Sequence, residues 1–218
     1  MRPFRDRVHA GKFLAERLGH YANRADVLVL ALPRGGVPVA HEVAKALHAP
    51  MDVFLVRKLG VPGHQELGMG AIATGGLRIL NDGIIRELGI SQKTIETVSD
   101  TEQQELQRRE RMYRGERPAP PIENRTVIIV DDGLATGSTM KAAVRALREQ
   151  RPSRLIVAVP TAPLETCEEL REIADEVICA VTPRPFFAVG GSYADFNQIT
   201  DEEVRDLIGR ASKIPFGV

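Results

Sequence analysis

The stretch Val127-Ile128-Ile129-Val130-Asp131-Asp132-Gly133-Leu134-Ala135-Thr136-Gly137-Ser138-Thr139 joins an apolar run, two adjacent carboxylates, a tight turn and a helix start. Gly137 lets the backbone approach an anion. Ser138 and Thr139 supply hydroxyls, and the unpaired N–H groups of a helix N-terminus point to the same place. Those features define a site for a phosphomonoester. Asp131 and Asp132 would repel that phosphate, so they must face something else: vicinal hydroxyls or a hydrated metal ion. A sugar phosphate with free ribose hydroxyls satisfies both ends of the turn. A plain helix cap explains Thr-Gly-Ser-Thr alone, but not the coincidence with the acidic pair. Two other nucleotide motifs are missing: Gly-x-x-x-x-Gly-Lys-Ser/Thr, and Gly-x-Gly-x-x-Gly after a strand.

Further stretches carry compatible chemistry. Pro33-Arg34-Gly35-Gly36 follows an apolar run; its glycines permit close approach of an anion, and Arg34 can pair bidentately with phosphate. An ordinary strand-to-helix turn reads the same way. Arg57-Lys58 follows a second apolar run, where a basic pair is usually solvated. Residues 60–76 hold glycines at 60, 63, 68, 70, 75 and 76. That density predicts a long mobile loop, with a short hairpin at 71–79. His64, Gln65 and Glu66 are its polar members. Phe186, Phe187, Tyr193 and Phe196 concentrate the scarce aromatic content. They suit either a sandwich around a planar base or an aromatic mini-core under a C-terminal helix.

These residues need elements to hold them. Phe4, Val8, Phe13 and Leu18 recur at helical spacing, stopped by Gly19. The continuous apolar run 27–32 suits a strand buried on both faces. A crossover helix at 38–47 and a second strand at 53–56, ending in Arg57-Lys58, follow. Residues 91–116 are charged, with Ile95, Val98, Leu106 and Met112 as sparse apolar contacts, and predict a long, largely solvated helix. The proline-rich stretch 118–121 ends it as a linker. Strands at 127–130, 155–159 and 177–181 then alternate with helices at 138–148 and 164–174. This alternation predicts βαβ units and an α/β fold with a central parallel sheet and helices on both faces. In such sheets ligands bind beyond the carboxyl ends of the strands, where each motif falls.

The 218 residues fit one domain with a small extra lobe. Twenty-nine acidic and 29 basic residues balance, which argues against broad capture of nucleic acid or anionic membrane. No apolar run approaches the roughly 20 residues that span a bilayer. Charges at Arg2, Arg5, Asp6 and Arg7 interrupt any signal-peptide core. Cys167 and Cys179 lack metal-ligand or redox spacing and read as two structural thiols in a reducing compartment. A cytoplasmic location is expected.

From about Val27 to Val181 the chain resembles the type I phosphoribosyltransferases, whose signature is an apolar strand, an acidic pair and Thr-Gly-x-Thr. The resemblance implies a substrate, 5-phosphoribosyl-1-pyrophosphate (PRPP), with Mg²⁺ bound mainly through PRPP and water. It implies that Asp131 and Asp132 hold the ribose hydroxyls, and that Ala135, Thr136, Gly137, Ser138 and Thr139 hold the 5′-phosphate. Arg34, Gly35, Gly36, Arg57 and Lys58 would meet the pyrophosphate. The 60–76 loop matches the family's catalytic lid, with Lys58 and Glu66 as catalytic candidates beside the acidic pair. A hood lobe at 182–200, with a contribution from 81–120, would offer Phe186 or Phe187 to the base and Asp195 to the metal. One departure stands out: Ala135 occupies a position that is aspartate in 6-oxopurine enzymes, so turn and hood hint at different bases. The expected activity is transfer of ribose-5-phosphate to a nitrogenous base, by a homodimer. A PRPP- or nucleotide-sensing regulator that has lost catalysis is the alternative.

Overall fold

The computed structural model describes residues 4–211, apart from the side chains of Gln65 and Glu66. The strands β1 (Val27–Ala31) and β6 (Thr126–Val130) are buried along their whole length. Their side chains part to opposite faces, as the strand repeat requires. Val27, Val29, Ala31, Ile128 and Val130 enter one core; Leu28, Leu30, Val127 and Ile129 enter the other. The first core is covered by α1 (Arg7–Arg17), α2 (Gly36–Leu47) and α7 (Asp201–Ala211), through Leu14, Val39, Val43, Val204 and Ile208. The second is covered by α5 (Ser138–Glu149) and α6 (Leu164–Arg171), through Met140, Val144, Leu147 and Leu170. Helices on both faces of a parallel sheet are what the alternating pattern predicts.

Among the described residues the sheet has five strands in the order β2 (Met51–Val53), β1, β6, β7 (Arg154–Thr161), β8 (Glu176–Val181), all parallel. The chain leaves β1 toward β2, then returns to lay β6 on the other side of β1. That reversal is a topological switch point, where the two outgoing loops diverge and leave a crevice. Ala31 pairs with Val130, so residues 32–36 and 131–137 emerge level and adjacent.

The second strand is shorter and earlier than the sequence predicts, and this moves Arg57 and Lys58. They belong to β3 (Val56–Val61), which pairs antiparallel with β4 (His64–Ala73), itself paired with β5 (Leu77–Leu80). The long mobile loop expected at 60–76 is therefore corrected to a three-stranded sheet; the hairpin foreseen within it is the β4–β5 turn. The glycines explain the difference. A Cβ at Gly70 would lie 2.4 Å from the Ile79 carbonyl oxygen, and one at Gly68 would lie 2.9 Å from Lys58 Cε. There glycine permits close strand approach rather than mobility. Gly63, Gly75 and Gly76 take the positive φ angles of the two turns.

A short helix α3 (Asp82–Glu87) leads to α4 (Gln92–Arg114), where the charged helix was expected. It is less solvated than its composition suggests, burying Ile95, Leu106, Tyr113 and Arg114. Arg114 donates to Asp52 at 2.7 Å and to the Val53 carbonyl at 2.5 Å, tying α4 to the end of β2. The two cysteines are also corrected. Cys167 on α6 and Cys179 on β8 form a disulfide, brought together because the chain turns back directly from α6 into β8. Among the described residues, no helix is long and apolar enough to cross a membrane.

Candidate functional site at the β1 and β6 carboxyl ends

The turn after β6 has two unlike halves. Ala135, Thr136, Ser138 and Thr139 are all exposed along its outer side, while Asp132 is buried and Asp131 half-buried. Gly137 caps α5 at φ 67°, a left-handed conformation suited to glycine. A Cβ on it would also lie 2.7 Å from Thr166 Cγ2. Thr166, on α6, donates to the Ala135 carbonyl at 2.7 Å. Lys141 donates to the Thr136 carbonyl at 3.2 Å and pairs with Glu169. The backbone is thus braced from behind while the first N–H groups of α5 face outward.

The acidic half is held from three directions. Asp131 Oδ1 accepts the Asp132 N–H at 2.8 Å. Asp132 Oδ2 accepts from Arg7 Nε at 2.8 Å, an ion pair with both side chains largely buried. The Asp132 carbonyl accepts from the Tyr193 hydroxyl at 2.5 Å. Burial, then the adjacent Asp132 charge, pushes the Asp131 carboxyl well above its ordinary range. Burial raises Asp132 as well, against the lowering pull of Arg7. The same neighbourhood pushes the Tyr193 hydroxyl upward, chiefly through burial.

The Pro33–Gly36 loop packs directly on this pair. A Cβ at Gly35 would fall 1.9 Å from Asp132 Oδ2, and one at Gly36 would fall 2.8 Å from Asp131 Cα and the Val130 carbonyl oxygen. Two consecutive glycines are what bring this loop onto the carboxylates. The Pro33–Arg34 peptide is cis. Arg34 is half-exposed, with Nη1 3.9 Å from Asp201 Oδ1 at the start of α7. Asp201 accepts in turn from the Tyr113 hydroxyl of α4 at 2.5 Å.

The fold thus gathers Gly35, Gly36, Asp131 and Asp132 tightly, with Arg34 and the 135–139 turn alongside. Other predicted residues lie on other elements. Arg57 pairs with Glu102 of α4 at 2.6 Å, and Lys58 is exposed on β3 beside Gly68. Both lie on β3, a few residues past the end of β2 rather than directly at it. The Glu66 side chain lies outside the described residues. The aromatic segment divides. Phe186 is half-buried and Phe187 89% exposed, and both line a cavity of about 460 Å³ with Phe4, Thr182 and Ser192. Tyr193 and Phe196 instead stack on each other, and Tyr193 contacts Phe4, which packs edge-on against Phe13 of α1. The aromatic mini-core exists, then, but under the N-terminal helix rather than the C-terminal one. Asp195 lines a different groove of about 450 Å³ with Asp6, Arg7 and His41, apart from the Phe186–Phe187 cavity. Sequence reasoning passed over Arg7 and Thr166 as site residues, and took Tyr193 only as an aromatic rather than as a partner of the Asp132 carbonyl. Arg7 lies 125 residues from its partner, so no spacing signal links them.

A parallel α/β sheet with a Thr-Gly-Ser-Thr turn and a glycine loop meeting at its switch point is the frame of a phosphoribosyl transferase domain, and this chain belongs to that family: the family model matches residues 69–195. A Mycobacterium tuberculosis (strain H37Rv) protein with a provisional phosphoribosyl transferase name is 46% identical over 213 residues, 98% of this chain and 48% of its own. This chain therefore spans about half the length of the curated relatives it matches. The crystal structure of TT1426 from Thermus thermophilus is 43% identical with a TM-score of 0.84, covering 95% of this chain and 98% of that one.

Proposed function

We propose that this domain transfers the ribose-5-phosphate of PRPP to a nitrogenous base, releasing pyrophosphate. The observation that carries this reading is the contact of Gly35 and Gly36 with the Asp131–Asp132 pair, beside the Thr-Gly-Ser-Thr turn. Few ligands ask for a phosphate cradle, a diol acceptor and an anion-binding loop side by side; PRPP does. The Thr136–Thr139 turn would take the 5′-phosphate through hydroxyls and the α5 N-terminus. Asp131 and Asp132 would accept from the ribose hydroxyls and stabilise the positive charge that develops on the ring. Arg34 with the Gly35–Gly36 backbone would hold the departing pyrophosphate. Lys58, on β3 of the antiparallel sheet, would help Arg34 stabilise the departing pyrophosphate. Phe186 or Phe187 would stack on the base.

Among the described residues there is no cluster of three or more His, Cys, Asp or Glu side chains suited to a metal. Asp195 is exposed, and its Oδ1 accepts the Asn197 N–H at 3.2 Å. In this reading magnesium would arrive with PRPP oxygens and water as ligands, with Asp195 as an outer contact. When bound, the ion would neutralise pyrophosphate charge.

Titration calorimetry with PRPP–Mg²⁺, followed by a pyrophosphate-release assay across a panel of purine and pyrimidine bases, tests the reading. Binding with release for one base is the expected result. Binding without release for any base favours the sensor alternative, a reading consistent with Arg57 being engaged by Glu102. No binding at all overturns both.

A further inference from the structure

Asp132 presents a physical problem that the turn alone does not solve. Two carboxylates adjacent in sequence repel each other, and a buried carboxylate is costly unless paired and hydrogen-bonded. A group meant to accept from a ribose diol has to stay ionised and point in one direction. The partner comes from the far end of the chain. Arg7, in the first turn of α1, is itself buried. Its Nε donates to Asp132 Oδ2 at 2.8 Å while Nη1 donates to the Asn197 carbonyl at 2.7 Å. The guanidinium lies 3.9 Å from the centre of the Phe196 ring. Tyr193, stacked on Phe196, closes the arrangement through its hydroxyl on the Asp132 carbonyl. The guanidinium is fixed in orientation by two hydrogen bonds and an aromatic face, a geometry that a lysine ammonium does not reproduce.

We infer that Arg7 is a positioning residue of the ribose-binding carboxylates, making the N-terminal helix part of the site. Arg7 lies outside the residues 69–195 that carry the family match. It acts through Asp132 and touches no substrate in this account. The inference rests on the PRPP reading above.

The titratable and charged groups facing Asp132 are Asp131 on its own turn, Arg7 from α1 and Tyr193 from the segment after β8; Gly35 and Gly36 bring only backbone. Arg7 opposes the upward push of burial on the Asp132 carboxyl. Without it the carboxylate is lost at a higher pH as the solution is acidified. The acid limb of PRPP affinity should therefore move upward in pH.

The experiment measures PRPP–Mg²⁺ affinity against pH for the whole chain, as wild type, R7Q, R7K, D132N and the R7Q/D132N double variant, with thermal unfolding of each. R7Q is expected to weaken binding by about 30-fold or more, the scale of removing one partner of a buried charge pair. R7K should recover part of that loss. The double variant should bind about as weakly as D132N alone, because Arg7 has nothing left to position. Additive losses with an unmoved pH profile would overturn the inference, leaving Arg7 as a packing residue. Wild-type affinity in R7Q that remains folded would also overturn it. Absence of PRPP binding to the wild type would instead remove the underlying functional reading. If R7Q fails to fold, the affinity and acid limb of R7K against wild type decide the matter: unchanged values overturn the inference.

Discussion

Gly35 and Gly70 both meet neighbours more closely than a methyl group would permit, one on the rim of the parallel sheet and one inside the antiparallel sheet. A Cβ on Gly70 would strike the Ile79 carbonyl, ordinary backbone of the next strand. A Cβ on Gly35 would strike the carboxylate of Asp132, a buried charge held by Arg7. In the small sheet, close approach serves strand pairing. On the rim, it presses the Pro33–Gly36 loop against two carboxylates whose pKa values are both raised. Carboxyl pKa values perturbed by burial and by each other at a switch point accord with the proposed ribose site.

Four measurements would break or sharpen this contrast. The largest effect is expected from D131N combined with D132N. PRPP affinity should fall by roughly 100-fold or more, since two charge-assisted acceptors are lost. The fold should survive. A raised carboxyl pKa means that the folded protein retains a proton which the unfolded chain has released. The stability contribution is complete below the ordinary value of 3.8 and is lost as pH rises through the raised one. Unfolding free energy of the wild type should therefore decline with pH in that window, and D131N should flatten the decline. A fall in thermal stability with binding intact would make the pair a structural cap instead.

G35A comes next. Asp132 is pinned by Arg7 and has little freedom to yield, so overpacking should cost about 1–3 kcal/mol and weaken PRPP binding by at least tenfold. G70A makes the sharper control, because its stability cost should be similar, about 1–3 kcal/mol, with affinity changed less than about twofold. Equal effects of the two variants on affinity would erase the distinction between rim and sheet. The smallest effect belongs to E102Q, which releases Arg57 from a partly exposed ion pair worth about 0–1 kcal/mol. Affinity should stay constant if Arg57 is purely structural; a rise would return it to the pyrophosphate site.

The parallel sheet and its rim were legible because their signals are local. A continuous apolar run, an acidic pair and a helix start lie in consecutive residues from Val127 to Thr139, so their chemistry survives without knowledge of neighbours. The antiparallel sheet was not legible, since glycine in a loop and glycine at a close strand contact have the same letter. The meaning of Gly68 and Gly70 depends on Lys58 and Ile79 across the sheet. The aromatic segment was half legible: Phe186 and Phe187 remain at a cavity, while Tyr193 and Phe196 are claimed by α1.

The sequence by itself determined which groups the Asp131–Thr139 turn can offer a ligand, because adjacent residues fix which hydroxyls, carboxylates and helix N–H groups are available. Only the tertiary structure decided how that turn is held. The alignment of Ala31 with Val130 brings the Gly35–Gly36 loop onto the acidic pair. Arg7 reaches Asp132 across 125 residues, and Thr166 braces the turn from α6. Such contacts have no sequence signature, since an ion pair between distant residues exists only after the intervening strands have chosen their order.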